Sequence, residues 1–440
     1  MRISLLVVVS WLGSGDVPAA EPPPKAVATW AAGPMEVRVA FDRAVDPSVA
    51  TGMVGGSVGF GEEPKPGKPD SAGRPGGDRG ALRIASARLI DEGRTLVLVT
   101  DPHPREATYR LTLPGLKGAG QAGEGSRVEL SYDLSGVEVG WAQGDGEKPS
   151  WSGWWPHVEP EASRVLLAGS AEHDRLWPMV EKPGRLTIRT LVVLPKGEAV
   201  LAIEAGSAFE VMLDSESAKS ERGGDAHRAT IKVESTGEAI GLDLTLETSQ
   251  GRAPRLRVTT GLGEAPPESP LPRSAFVLSW APPALPPAPT PAVPETFLTG
   301  GDPARGEVIF RGEQAKCANC HQVRGQGGQV GPDLTTLAGR DRAWVYQNII
   351  EPSASIHPDY LSWTVAMKDG RIAMGVVRAE GADSLKVSDI DAKQTVIPRD
   401  EVEEIRPSAS SIMPVGLLGA LGEQGTRDLL AYLTAPGPPR

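Results

Sequence analysis

The sequence predicts a multidomain chain: all-β sandwiches come first, and an all-α domain carrying a small β insertion follows. Three observations lead there. With 52 Gly and 41 Pro in 440 residues, the chain is rich in turn formers, which suits short strands joined by tight connections. Apolar and polar residues alternate in many short runs, as in Met35 to Phe41 (MEVRVAF), the period expected of half-buried strands. Finally, a proline-rich stretch, Pro282 to Pro294, separates this part from a C-terminal part in which helical patterns appear. Such a stretch favours an extended polyproline conformation and acts as a semi-rigid spacer.

Residues 1–20 have the order of an export signal. Arg2 is positive, Ile3 to Leu12 is apolar, and Val17-Pro18-Ala19 supplies small residues for cleavage. An exported location, periplasmic or at the cell envelope, is the expectation. No later run reaches the roughly 18 apolar residues of a membrane span. The formal charge of −11 offers no basic face for nucleic acid. It suits a partner with a basic docking surface.

The first β domain is placed at residues 25–135. Leu96 to Val99 and Tyr109 to Leu113 read as strands, and Glu62 to Arg79, rich in Gly, Pro and charge, reads as a long loop. The phrases VRVAFDRAVDP and EGRTLVLVTDPHPREATYRLTLPGL resemble bacterial Ig-like modules. A second β-sandwich-like domain is placed at 136–281, with strands at Leu186 to Leu194, Ala199 to Glu204 and Phe209 to Leu213. Its run LAIEAGSAFEVMLD, then RATIKVEST, resembles the protective-antigen type of β-sandwich, and that resemblance implies a possible carbohydrate ligand. Trp151, Trp154, Trp155 and Trp177 cluster here. They offer either a sugar-stacking platform or ordinary packing, and packing is the commoner fate of large aromatics. His157, His173 and His227 lack a regular ligand spacing and read as hydrogen-bonded side chains rather than a metal site. No nucleophile motif or phosphate-binding glycine loop is present.

The linker is placed at 282–298 and the last domain at 299–438. Asp302-Pro303 reads as an N-cap followed by proline in the first turn of a helix. The only two cysteines follow, in Cys317-Ala-Asn-Cys320-His321. The pattern C-x-x-C-H is that of covalent haem attachment. Each thiol adds to one vinyl group, two intervening residues let both sulfurs reach neighbouring vinyls, and the next residue offers its imidazole to the iron. A redox dithiol would call for a βαβ context. A zinc site would call for two further ligands, which His357 alone does not supply.

The run GEVIFRGEQAKCANCHQVRGQGGQVGPDLTTLAGR, then IIEPSASIHPDYLSWTVAMKDGRIAMGVV, SIMPVGLLGAL and RDLLAYL, resembles the haem-binding cytochrome c domain of planctomycetes and verrucomicrobia. The resemblance spans about Gly300 to Leu433 and makes the all-α domain a class I cytochrome c. It implies that Gly306 and Phe310 lie on an N-terminal helix crossing a C-terminal helix that carries Tyr432. It also implies that Pro332 orients the proximal His321 through its carbonyl, and that Met413 is the second axial iron ligand. Met367 and Met374 fall in a strand pattern, where methionine more often packs. His357 is the competing ligand. The long separation of His321 from Met413 is ascribed to a β insertion at about 363–406, marked by turns at Asp369-Gly370 and Glu380-Gly381.

The expected function is that of an exported monohaem c-type cytochrome carrying one covalent haem c, an electron carrier rather than an enzyme, served by a redox partner protein or dehydrogenase. The alternatives are a haem-containing part of a carbohydrate-oxidising system, with the β region binding sugar, and an adhesion or scaffold protein.

Overall fold

The computed structural model describes residues 22–61, 80–121, 123–144, 146, 148–263, 269–281, 293–354, 356–408 and 410–435. The export signal expected at 1–20, the loop 62–79 and most of the proline-rich linker lie outside the described residues.

The first region is one antiparallel sheet of seven strands: β1 (Ala26–Gly33), β2 (Glu36–Phe41), β3 (Ser57–Phe60), β4 (Gly80–Ile90), β5 (Thr95–Thr100), β6 (Tyr109–Leu116) and β7 (Ser126–Tyr132), in the order β1-β2-β5-β4-β3-β6-β7. The short helix α1 (Ser48–Thr51) precedes β3. β4 serves both halves. Its first residues pair with β3 and its later ones with β5, across a register shift between Ile84 and Ser86. Such a bulge bends the strand and lets one sheet fold over itself. β2 alternates as its sequence suggests, with Val37 and Val39 buried. β5 does not: all six of its residues are buried, although a strand on a one-sided sheet should bury alternate residues.

The second region holds two further sheets. One runs β13-β12-β16-β10-β8-β9, with β19 also on β10; the other runs β14-β15-β11-β17-β18. These strands are β8 (Val137–Gln143), β9 (Trp151–Trp155), β10 (Gly184–Val193), β11 (Gly197–Ala205), β12 (Phe209–Leu213), β13 (Glu216–Lys219), β14 (Glu221–Gly223), β15 (Ala226–Ser235), β16 (Ala239–Thr248), β17 (Leu256–Leu262), β18 (Ser269–Pro270) and β19 (Phe276–Val277). Three short helices, α2 (Pro160–Leu166), α3 (Ala171–Asp174) and α4 (Trp177–Val180), fill the link between β9 and β10. A single buried cluster extends from Trp30 to Ala281, so the two β regions share one core. Trp30 of β1 stacks on Trp154 of β9 at 5.7 Å, and Arg38 of β2 pairs with Glu172 of α3 at 2.7 Å.

Among the described residues the C-terminal part has four α-helices: α5 (Pro303–Arg311), the single turn α6 (Cys317–Cys320), α7 (Arg342–Ile350) and α8 (Leu417–Thr434). A ribbon of β20 (Gln322–Val323) and β21 (Gln326–Gly327) follows α6. Between α7 and α8 lies a five-stranded antiparallel sheet in the order β25-β24-β23-β22-β26: β22 (Ser362–Met367), β23 (Ile372–Glu380), β24 (Ser384–Ser388), β25 (Gln394–Pro398) and β26 (Val402–Pro407). Asp302 caps α5, accepting from Ala304 N at 2.8 Å, and Asp341 caps α7 in the same way at 3.1 Å. α5 crosses α8 at Gly306. A Cβ there would lie 2.0 Å from the Asp428 carbonyl oxygen and 2.6 Å from the Tyr432 Cβ, so the absence of a side chain sets the helix approach. Phe310 is fully buried beside Tyr432, with ring centroids 5.5 Å apart. Among the described residues no helix is long and apolar enough to cross a membrane.

Candidate haem site

The turn α6 places Cys317 and Cys320 one helical turn apart, and His321 leaves it in extended conformation (φ −109°, ψ 143°). The chain then runs through the ribbon and returns beneath the turn, where Gly331 N donates to the Cys320 carbonyl at 2.8 Å. His321 Nδ1 donates to the Pro332 carbonyl at 2.9 Å. A Cβ on Gly331 would sit 2.6 Å from His321 Cε1 and 2.8 Å from Nδ1. Only glycine therefore lets this loop lie flat against the imidazole. Among the described residues Nε2 makes no hydrogen bond, so its lone pair is left for a metal. Fixing one ring nitrogen through a carbonyl while leaving the other to the metal is how proteins orient a ligating histidine.

The thiols form no disulfide with each other, and both are half-buried. Burial pushes the Cys317 thiol up to about 11. Cys320 is also raised, first by burial and then by the charges of Asp389 and Asp391. A redox-active dithiol needs a stabilised thiolate, and this environment does the opposite. Among the described residues no group of three or more His, Cys, Asp or Glu gathers to hold a metal ion, which leaves a zinc site around these thiols without a ligand set. Two uncrosslinked thiols one turn apart, beside an imidazole with one free nitrogen, fit covalent haem.

Met413 lies in the loop before α8 and packs, with Cys317, against the apolar cluster that contains Phe310, Val345 and Leu430. Met413 N donates to Ser411 Oγ at 3.1 Å, and Ser411 N donates to Ser353 Oγ at 3.0 Å, tying this loop to the one after α7. Met367 is buried in the core of the five-stranded sheet, Met374 is exposed, and His357 is exposed beside Asp359 at 3.8 Å. Two features of the site were not read from the sequence. Gly331 is signalled only by its place before Pro332. Asp389 and Asp391, on the turn between β24 and β25, carry no local motif.

In the β region, Trp154, Trp155 and Trp177 are buried and Trp151 is half-buried. Trp155 stacks on Trp177 at 5.4 Å. These rings pack the interior rather than present a platform to solvent, although the indole N–H groups of Trp155 and Trp177 find no partner among the described residues. His173 is buried, with Nε2 donating to the Trp154 carbonyl and Nδ1 accepting from Ser170 Oγ, both at 2.7 Å. His157 likewise uses both nitrogens, on Leu271 O and Glu159 N. His227 Nδ1 has no partner among the described residues.

Residues 303–392 match the family model Cytochrome c; Met413 lies beyond the matched stretch. No curated protein matches the chain. Among solved structures, the chain is similar to an anti-sigma factor domain-containing protein (10% identity, 56% of this chain and 85% of that one, TM-score 0.26) and to the PA14 sugar-binding domain from an RTX adhesin (8%, 33% and 99%, 0.24). It is also similar to a β-glucosidase from Kluyveromyces marxianus (11%, 29% and 16%, 0.21). At these TM-scores the likenesses carry no inference. The chain is thus a mostly β N-terminal region joined to a C-terminal cytochrome c domain, in which one C-x-x-C-H motif binds haem c covalently.

Proposed function

We propose that the protein is an exported monohaem c-type cytochrome that passes single electrons between redox partners, with His321 and Met413 as the axial ligands of a haem held by Cys317 and Cys320. The observation that carries this reading is the asymmetry of the His321 ring: Nδ1 is held by Pro332 at 2.9 Å and Nε2 is left unpaired. Bound haem supplies a one-electron ferric/ferrous couple. The chain's own residues supply the rest. Pro332 and Gly331 lock the imidazole plane. The apolar cluster around Phe310 and Leu430 excludes water from the Met413 side. Were His321 and Met413 both to hold the iron, a small molecule would find no free position there, which favours electron transfer over catalysis. The partner is a redox protein or a dehydrogenase.

A haem stain on a denaturing gel and a reduced-minus-oxidised spectrum test the assignment. Cys317→Ala/Cys320→Ala should lose all covalently bound haem. Met413→Ala should lose the ferric methionine-to-iron charge-transfer band while keeping the stain, and a band that survives would rule Met413 out as the ligand. Fractionation with N-terminal sequencing of the mature protein tests export.

A further inference from the structure

The five-stranded sheet between α7 and α8 brings Asp389 and Asp391 toward Cys320 and, through the Ser362 hydroxyl on the Ser410 carbonyl, ties down the loop that leads to Met413. We propose that it is an intramolecular latch, docking the cytochrome domain on the first β region so that the two move as one body despite the proline-rich linker. This inference does not depend on the redox assignment.

Two independent observations carry it. The first is apolar. The core of the five-stranded sheet, built on Trp363, Val365 and Val377, is completed by Met35 and Val99 of the first region, each 2% exposed. This accounts for the burial of Val99 at the end of β5. Leu96 and Leu98 face the core of the β regions, whereas Val99 faces the cytochrome domain. Ala85 of β4 packs against the same cluster.

The second is polar and directional. β23 pairs with β22 only as far as Val376, opposite Ser362, but with β24 as far as Glu380. Residues 377–380 therefore overhang β22 and present a strand edge, whose backbone groups require partners when buried. Ala379 N donates to Asp101 Oδ1 at 3.0 Å, and the Ala379 carbonyl accepts from the Arg83 guanidinium. One residue's donor and acceptor are thus met by a carboxylate and a guanidinium that lie 3.9 Å apart within the first region. Arg399 adds a contact to Met35 Sδ at 3.8 Å. Asp101, Pro102 and Pro104 line the seam from one side, and Asp359, Tyr360 and Arg378 from the other. An apolar patch alone would permit sliding, but the Ala379 clasp sets one register. The short tether raises the local concentration of the two faces, so modest contacts suffice to keep them joined.

The test uses the full haem-loaded chain with a protease site placed within 282–292. After cleavage, the haem-bearing fragment should co-elute with the β fragment on size exclusion at micromolar concentration. The same chain with Arg83→Ala/Asp101→Ala should release it, and Asp101→Asn, which keeps an acceptor, should retain it. Unchanged haem absorbance and far-UV circular dichroism in each variant exclude misfolding as the cause. Separation of the wild-type fragments overturns the latch. Co-elution that persists in the double variant overturns the role given to the Ala379 clasp.

Discussion

Histidines in the two parts of the molecule are used in opposite ways. In the β region, His103 and His173 have both ring nitrogens engaged: His103 with the Pro34 carbonyl at 2.8 Å and the Tyr132 hydroxyl at 2.9 Å, and His173 with the Trp154 carbonyl and the Ser170 hydroxyl. Burial pushes both down to about 4 from 6.5. In the cytochrome domain, His321 is also lowered by burial, yet only its Nδ1 is engaged. Burial alone does not mark a functional histidine. The difference is whether the fold consumes the second nitrogen. The rings of His103 and His173, with both nitrogens satisfied, are structural crosspieces, whereas His321 keeps Nε2 over beside the Cys317 and Cys320 thiols, where a haem iron would take it.

The largest expected effect that would break this contrast concerns pH. The folded-state values near 4 lie below the unfolded 6.5, so protonation favours the unfolded chain. The stability contributed by the two neutral rings is intact above about pH 6.5 and is lost as pH falls toward 4. The slope is about 1.4 kcal/mol per pH unit for each ring, or about 3 kcal/mol for each over the window. Chemical denaturation followed by circular dichroism at pH 7, 5.5 and 4.5 should show that slope; a flat profile would mean the rings are not sealed.

A smaller effect separates the regions by readout. His173→Ala strands the Trp154 carbonyl and the Ser170 hydroxyl, and should cost about 2–3 kcal/mol of β-region stability with the haem spectrum unchanged. His321→Ala should do the reverse, abolishing the low-spin haem spectrum while β-region unfolding stays in place. Both sets of spectra and denaturation curves from one preparation decide the matter. The smallest effect sharpens the contrast within the haem site. Gly331→Ala drives a methyl into the imidazole, which must turn and loosen its bond to Pro332. Stability should fall by only about 1 kcal/mol, while the haem absorption shifts visibly; an unchanged spectrum would mean that the Gly331 contact does not set the ring.

The site was largely legible in the sequence because its chemistry dictates spacing. Cys317, Cys320 and His321 must be close in the chain to meet one prosthetic group, and Pro332 follows within a short loop. The strands at Glu36–Phe41 and Tyr109–Leu116 were legible for a similar local reason, since a sheet with one buried face imposes a period of two. What could not be read depends on residues far apart in the chain. The common core that joins Trp30 to Trp154, and the Asp101–Ala379 pairing across 278 positions, leave no periodic trace. The helices α2 to α4 were missed because they are short, seven residues at most, so a window of helical length never fills. β5 shows the limit most clearly. Its apolar run marks a strand, but nothing within it says that Val99 faces a second domain.

That clasp at Ala379 has a consequence for anyone who trims the protein. A fragment beginning near the proline-rich linker would keep its haem-binding motif intact, yet would carry a bare strand border at 377–380 on a core that has lost Met35 and Val99. Bare borders of this kind recruit one another into intermolecular sheets. The preparation should then cloud or multimerise on concentration, and the remedy would lie in supplying the missing cover rather than in changing the haem pocket.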